Sequence, residues 1–185
     1  MKFVIEHLDP EVWDWRLVEY KHIAAFAGKE QIIFTNVKKG AERLAGLGEV
    51  HAGRVDELNL KNACVLDPKA EKTLSPEDAF DYLIIGGVLG NHPMDGRTEK
   101  EITSRLPFPA RNLGDVQMST NTAAYVAWKI SQGKRFEEFE FVEELVIPIQ
   151  KHEEVELPFR FVVEDGKVVL PDDYYEMVKE QHSGE

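Results

Sequence analysis

Residues 80–90 read FDYLIIGGVLG, an apolar run that passes directly into a glycine-rich loop. The unbroken hydrophobicity from Tyr82 to Ile85 is typical of a strand that is buried on both faces, as in a parallel sheet. Gly86, Gly87 and Gly90 follow, and glycine allows a backbone to come close to a ligand. Because ligands of open α/β sheets bind outside the carboxyl ends of the strands, this junction predicts a small-molecule site.

Two neighbouring apolar runs end on similar turns. Residues 63–66 read ACVL and precede Asp67-Pro68, and residues 109–113 read PARNL and precede Gly114-Asp115. A helix is then predicted from the apolar positions between Ala123 and Ile130, and Gly133 ends it. Three loops of this kind in succession indicate one shared binding site more strongly than any single turn does.

The N-terminal part has the same alternation. A strand at residues 3–5 is followed by a helix, for which Asp9 is the predicted cap and Pro10 the first residue, and Gly28 ends this helix. A second strand at residues 31–34 precedes a shorter helix that ends near Gly48. The sequence therefore predicts an α/β fold, with a mostly parallel sheet and helices on both faces.

The last 50 residues differ in pattern. Residues 159–163 and 167–170 are apolar and flank Glu164-Asp165-Gly166, which is a strong hairpin signal, and a short helix follows residues 171–173. We expect one domain at residues 1–135 and a C-terminal extension at residues 136–185 that packs on it.

Composition excludes several classes of protein. The single cysteine, Cys64, lies in an apolar run and is expected to be a buried hydrophobe. No apolar run approaches the length of a membrane span, so a cytoplasmic protein without a membrane partner is expected. The net charge of −12 repels nucleic acid, and no DNA partner is expected. RNA would need a local basic surface, for which the candidates are Arg97, Lys100, Arg105 and Arg111.

Several familiar sites can also be excluded. The chain has neither a P-loop nor the G-x-G-x-x-G spacing of a dinucleotide site. Its six histidines show no metal-ligand spacing, so no metal is expected. No serine lies in a G-x-S-x-G motif, and the STNT run at residues 119–122 is interpreted as a helix-capping cluster.

Longer motifs carry a resemblance to a known family. Residues 86–93 read GGVLGNHP, residues 97–98 read RT, and residues 113–123 read LGDVQMSTNTA. The chain resembles a group of the SPOUT superfamily of methyltransferases, which includes a protein-arginine methyltransferase that acts on a ribosomal protein. The similarity continues at residues 1–7, 66–68, 75–79 and 157–162, and so covers nearly the whole chain. Asn91 and Asn121 depart from the pattern, in which aspartate is usual.

The resemblance implies a trefoil knot in the C-terminal half, at about residues 63–133, and S-adenosylmethionine (SAM) as the cofactor, with S-adenosylhomocysteine (SAH) as the product. The residues that it assigns to cofactor binding lie in the three loops and the following helix. They are Leu66, Asp67, Gly86, Gly87, Leu89, Gly90, His92, Leu113, Gly114, Gln117, Met118, Thr120, Thr122 and Ala123.

An arginine substrate needs carboxylates that hold its guanidinium and accept a proton. The candidates are Asp115, Asp95 and Glu6, with Glu19 as a further carboxylate, while Arg97 could bind an acidic group. An acidic enzyme suits a basic, ribosomal protein substrate. Methylation of rRNA or tRNA is the alternative, and a SAM-binding module without catalysis is a third. The resemblance allows a monomer or a homodimer.

Overall fold

A sheet of six parallel strands forms the centre of the structure, a computed structural model that describes residues 1–87, 96–150 and 153–182. In chain order the strands are β1 (Lys2–His7), β2 (Ile32–Thr35), β3 (Glu49–Val50), β4 (Ala63–Leu66), β5 (Tyr82–Gly87) and β6 (Ala110–Arg111). Across the sheet they lie in the order β3-β2-β1-β5-β4-β6. All the neighbouring strands pair in parallel, so their carboxyl ends meet at one edge.

Helices cover both faces of this sheet, unequally. The described helices are α1 (Asp14–Ala27), α2 (Arg97–Glu101), α3 (Thr120–Ser131) and α4 (Tyr174–His182). On one face α1 and α3 pack on alternate strand residues such as Phe3, Ile5 and Leu83. The opposite face, with Val4 and Ile84, is covered by shorter pieces, including the 3₁₀ turn at Val55–Glu57 and Ile102 after α2. The predicted α/β fold with a mostly parallel sheet is confirmed.

Helix α1 begins later than predicted. Trp13 is its N-cap residue, so Asp9 and Pro10 precede the helix instead of starting it. The Asp9 carboxylate accepts a hydrogen bond from the side chain of Arg16, at Nε and 2.7 Å, and does not cap the helix backbone. The predicted helix before Gly48 is a single 3₁₀ turn at Ala41–Leu44.

The residues after Phe136 form two small antiparallel sheets and α4. The strands are β7 (Glu140–Val142), β8 (Leu145–Gln150), β9 (Glu153–Leu157), β10 (Phe161–Glu164) and β11 (Lys167–Val168). One sheet has the order β11-β10-β7, and its β10–β11 hairpin turns at Asp165-Gly166, as the sequence predicts. The other sheet pairs β8 with β9, and the sequence analysis did not predict it.

The extension has a small core of its own and also reaches the large one. Ile147, Phe161, Tyr174 and Val178 are fully buried together in it. Val162, from the same strand as Phe161, instead joins the core beneath α3. None of the helices in the described ranges is long and apolar enough to cross a membrane.

Candidate functional site

A cleft opens at the edge of the sheet where β4, β5 and β6 end. One wall comes from the ends of β4 and β5, another from the loop after β6, and a third from the first turn of α3. This is where the parallel strands predict a ligand site. The lining residues are Leu66, Asp67, Pro68, Lys69, Ile85, Gly86, Gly96, Arg97, Thr98, Leu113, Gly114, Val116, Gln117, Met118, Thr120 and Ala123.

The loop after β6 owes its shape to the C-terminal extension. Gly114 has φ = 85°, a left-handed conformation that favours glycine. A Cβ atom at Gly114 would lie 2.7 Å from the Phe136 ring and 3.0 Å from Arg160 Nη1. The Arg160 backbone N–H donates to the Gln117 carbonyl oxygen at 2.8 Å. The extension therefore fixes the backbone of this wall of the cleft.

Asp67 shapes the cleft with a carboxylate that is already hydrogen-bonded. Its Oδ1 atom accepts from the Lys69 backbone N–H at 2.9 Å, and its Oδ2 atom accepts from Thr103 Oγ1 at 2.6 Å. Only 3% of Asp67 is exposed. Its carboxylate thus ties the end of β4 to the turn after α2. Lys69 adds an exposed ion pair with Glu99 at the same rim, with 2.8 Å between Nζ and Oε2.

The cleft has a large apolar lining, and one of its polar lining residues, Gln117, carries a side-chain oxygen without a described partner. Leu66, Leu113, Met118 and Ala123 present carbon surface. The Gln117 Oε1 atom is buried and has no hydrogen-bond partner among the described residues. A buried acceptor without a partner costs free energy, and a ligand N–H or O–H group would satisfy it.

Nine of the residues that the resemblance assigns to the cofactor line this cleft, and two do not. Gly87 is buried behind it, where a Cβ atom would overlap the Tyr20 hydroxyl. Thr122 faces away, with its hydroxyl 2.8 Å from Ser119 Oγ. The remaining three, Leu89, Gly90 and His92, lie outside the described residues. The nine are Leu66, Asp67, Gly86, Leu113, Gly114, Gln117, Met118, Thr120 and Ala123.

The structure separates the predicted catalytic residues. The Asp115 side chain is 96% exposed beside the cleft loop, with Oδ1 4.0 Å from Arg160 Nη2. Arg97 lines the cleft, whereas Asp95 lies outside the described residues. Glu6 does not lie with the other candidates, because it is fully buried away from the cleft and paired with Arg54 at 3.1 Å.

The reason lies in the alternation of β1. Glu6 Oε2 accepts hydrogen bonds from Thr35 Oγ1 at 2.5 Å and from the Val55 backbone N–H at 2.9 Å. These partners hold Glu6 on the sheet face opposite α1 and α3. The role that the structure gives Glu6 is an internal ion pair.

Ser119 departs from the predicted capping role in one detail. It is the N-cap residue of α3, yet its hydroxyl makes no bond to the helix backbone. Ser119 Oγ instead lies 2.8 Å from both Asn121 Oδ1 and Thr122 Oγ1. Asn121 Nδ2 in turn lies 3.1 Å from His22 Nδ1 on α1. The cluster therefore joins two helices rather than capping one.

Two of the four residues of the basic surface that RNA would require form ion pairs within the chain. Arg105 pairs with Asp56 at 2.9 Å. The Arg111 guanidinium donates two hydrogen bonds to Asp78, at 3.0 and 2.9 Å. Both arginines are thus engaged by carboxylates of the chain itself.

Two further observations concern nucleophiles and metals. Cys64 is fully buried, and burial raises the pKa of its thiol to about 12, so it is a core residue. Within residues 1–87, 96–150 and 153–182, no group of three or more histidine, cysteine and carboxylate side chains could hold a metal ion.

Sequence reasoning missed a buried polar cluster behind the cleft. Arg16 lies between the carboxylates of Asp9 and Glu19, and its Nη1 atom is 3.4 Å from Thr120 Oγ1. The i, i+3 spacing of Arg16 and Glu19 was a signal for an ion pair. Nothing in the spacing indicates that this pair faces α3.

Comparison with known proteins gives the family. The family model for "Protein arginine N-methyltransferase SFM1-like" matches residues 2–184. The chain is 33% identical over 202 residues to Protein arginine N-methyltransferase SFM1 from Saccharomyces cerevisiae, covering 97% of this chain and 94% of that protein.

Solved structures agree with this. The yeast arginine methyltransferase SFM1 complexed with SAM matches with a TM-score of 0.89 and 31% identity, covering 98% of this chain and 91% of that one. Its SAH complex gives a TM-score of 0.87 and 32% identity, covering 96% and 94%. Trm10 from Thermococcus kodakaraensis matches with a TM-score of 0.56 and 18% identity, covering 74% of this chain and 95% of that one, and so shares the fold. The SPOUT resemblance is confirmed, and the chain belongs to the SFM1-like family of protein arginine N-methyltransferases.

Proposed function

We propose that this chain uses SAM, bound in the cleft, to methylate an arginine side chain of a basic ribosomal protein. The observation that carries the proposal is that seven of the eleven residues of the LGDVQMSTNTA motif line one cleft, together with Gly86, at the carboxyl ends of the strands. The chain matches an arginine methyltransferase over nearly its full length.

The cleft has the surfaces that SAM needs. Leu66, Leu113, Met118 and Ala123 offer an apolar wall for the adenine ring. Gln117 Oε1, an acceptor without a described partner, would take a hydrogen bond from an amino or hydroxyl group of the cofactor.

The other residues assigned to SAM differ in their place around the cleft. Gly86, Gly114 and Thr120 would contact the cofactor with their backbone or a hydroxyl, and Asp67 would support it through its turn. Gly87 and Thr122 would act from behind the wall. The cofactor contacts of Leu89, Gly90 and His92 stay predictions.

A Gln117→Leu variant tests this assignment. Loss of one hydrogen bond costs about 1 kcal/mol, and we expect SAH affinity to fall by about 5-fold in titration calorimetry. The melting temperature should change little, because the acceptor has no described partner in the free protein. Unchanged affinity would remove Gln117 from the cofactor site.

Methyl transfer from SAM depends more on aligning the substrate nucleophile with the methyl group than on activating that group. When bound, SAM supplies a sulfonium methyl group that an in-line nucleophile can take. The chain must then hold the substrate guanidinium, whose pKa is above about 12, and accept the proton that is lost. We propose Asp115, exposed at the edge of the cleft, and Asp95 as the carboxylates for this task, with Arg97 binding an acidic group of the substrate or cofactor.

Charge supports a protein over an RNA substrate. The net charge of −12 attracts basic polypeptides and repels phosphates. Arg105 and Arg111 are already paired with Asp56 and Asp78. A ribosomal substrate would place the enzyme in the cytoplasm.

We further propose that the chain is a monomer with a trefoil knot at about residues 63–133. Eight of the twelve residues of α3 are buried, and the helix packs against the sheet, α1 and β10, which leaves a limited surface to meet a second copy. Residues 136–185 would then be an extension that covers the domain at residues 1–135. Analytical ultracentrifugation tests the oligomeric state. A mass of 21.1 kDa would support the monomer, and twice that mass would contradict it.

The function is tested by incubating the protein with methyl-labelled SAM and ribosomes from its own source. The label is then divided between a protease-sensitive and an RNase-sensitive fraction. We expect it in protein, and label in RNA alone would overturn the proposal. A complete lack of transfer despite SAH binding would favour a non-catalytic SAM-binding module.

A further inference from the structure

A cluster of buried charged and polar side chains lies directly behind the cofactor cleft. His7 ends β1, Asp9 follows it, and Arg16, Glu19 and Tyr20 extend from the first two turns of α1. Arg16 and Glu19 are each 1% exposed, and His7 and Tyr20 are fully buried. Replacing such ion pairs by apolar residues is often neutral for stability, so overall stability alone does not account for the cluster.

Arg16 is the centre of this cluster. Its Nε atom donates to Asp9 Oδ2 at 2.7 Å, and its Nη1 atom donates to Glu19 Oε2. Burial by itself lowers the pKa of Arg16, but Glu19, Tyr20 and Asp9 raise it by more, so the guanidinium stays charged. Burial raises the pKa of Glu19, and Arg16 opposes that shift.

A chain of hydrogen bonds connects Arg16 to the cleft. Arg16 Nη1 lies 3.4 Å from Thr120 Oγ1, which lies 3.4 Å from the Gly86 carbonyl oxygen. Arginine can only donate, so the Thr120 hydroxyl accepts from Arg16 and is left to donate to Gly86. Thr120 and Gly86 both line the cleft, whereas Arg16 does not.

We propose that Arg16 is a positioning residue for methyl transfer, which holds Thr120 against the Gly86 carbonyl and so sets the cleft wall that the cofactor contacts. The inference rests on the proposed function. Asp9 and Glu19 fix the guanidinium, and the guanidinium fixes the direction of the Thr120 hydroxyl. A small displacement of this wall would misalign the methyl donor and the nucleophile, and such errors can cost about 100-fold in rate.

The test is a double-mutant cycle of Arg16→Met and Thr120→Val, with Thr120→Ser as the conservative variant. We expect each of the two single changes to lower kcat/KM by about 10- to 100-fold. If Arg16 acts through Thr120, the kcat/KM of the double variant should be no lower than that of the more impaired single variant. Thr120→Ser keeps the hydroxyl and should stay within about 3-fold of the wild type.

Arg43→Met is the matched control, since Arg43 also pairs with a carboxylate of α1, Asp14, at a site remote from the cleft. Its kcat/KM should equal that of the wild type. If the two losses simply multiply, or if Thr120→Val is fully active, the proposal is overturned. If Arg16→Met does not fold, the test is the comparison of kcat/KM between Thr120→Val and Thr120→Ser.

Titration with SAH separates this inference from the proposed function. A wild-type protein that binds SAH but transfers no methyl group refutes the function. The positioning role of Arg16 is then still tested by SAH affinity. Thr120→Val and Arg16→Met should each weaken SAH binding, and their effects on the binding free energy should not add in the double variant. Equal SAH affinity in all these variants, together with equal activity, refutes the positioning role.

Discussion

Gly87 ends β5 against the hydroxyl of Tyr20, and a side chain at this position has no room. A Cβ atom would overlap Tyr20 Oη and lie 3.0 Å from Ile5 Cγ2. Overpacking of this kind costs about 1–3 kcal/mol. We expect Gly87→Ala to lower the free energy of unfolding by that amount, measured by urea denaturation.

The clash itself can be relieved. Tyr20→Phe removes the hydroxyl, at a cost of about 1 kcal/mol for its hydrogen bond with His7. In the Gly87→Ala background the same change should restore stability. A double variant whose loss equals the sum of the two single losses would contradict this account of Gly87.

His22 gives the α1–α3 contact a pH dependence. Burial lowers its pKa below the ordinary value of 6.5, and Asp172 opposes that shift. The unfolded chain therefore binds a proton near pH 6.5 that the folded chain resists, so stability falls as the pH drops through this value.

We expect the free energy of unfolding to decrease between pH 7.5 and 5.5, with His22 contributing up to about 1.4 kcal/mol per pH unit. His22→Gln should make this slope shallower, and the difference between the two slopes isolates His22 from the other titrating groups. Identical slopes would show that His22 titrates normally in the folded protein.

Which residues line the cleft could be predicted from the sequence only in part. The LGDVQMSTNTA motif identified Gln117, Met118 and Thr120 because its sequence is long and specific. It also included Thr122, since a linear motif does not show which side of α3 a residue occupies. The sequence likewise did not show that Glu6 lies away from the cleft, because the alternation of β1 turns its carboxylate to the opposite face of the sheet.

Among the elements, the C-terminal extension is the one that most directly shapes the cleft. Arg160 donates two hydrogen bonds to Glu143 at 3.1 and 3.0 Å, stacks over Phe141, and bonds to Gln117 through its backbone. The Arg160–Glu143 ion pair is partly buried, so it should contribute more to stability than a fully exposed ion pair, which contributes little.

We expect Arg160→Met to weaken SAH binding by about 3- to 10-fold, roughly the loss of one good hydrogen bond, because the loop after β6 loses its support. Arg135→Met is the control, since Arg135 and Glu77 form an exposed pair outside the cleft. Calorimetry measures the SAH affinity of both variants. Equal affinities of Arg160→Met and Arg135→Met would mean that the extension does not fix this wall of the cleft.

The sequence predicted long apolar elements better than polar ones. β1, β2, β4 and β5 were recognised because they are continuous apolar runs. β9 was missed because its sequence, EEVEL, is dominated by glutamate and pairs only with β8 outside the main sheet. The late start of α1 could not be foreseen, since Asp9 accepts a hydrogen bond from the Arg16 side chain and does not cap the helix.

Across the whole molecule, the sequence indicated the class of fold but not the order of the strands. Strand pairing depends on long-range contacts, such as those of β1 with β2 and β5, which no local pattern encodes. The buried Arg16 cluster likewise joins residues 104 positions apart. The acidic charge was visible at once, and it agrees with a basic protein substrate.

We propose that methyl transfer to arginine takes place in this one cleft. Ala123 lines it from α3 and is partly exposed, so Ala123→Phe should fill the cleft without disturbing the core. Ser131→Phe, at the exposed end of the same helix, is the matched control.

The most direct measurement is the amount of methylarginine, by mass spectrometry, in basic ribosomal proteins incubated with SAM and each variant. The account predicts methylarginine with the wild type and Ser131→Phe, and at least a 100-fold smaller amount with Ala123→Phe. Full activity of Ala123→Phe would contradict the assignment of the cleft, and methylation of a residue other than arginine would contradict the function.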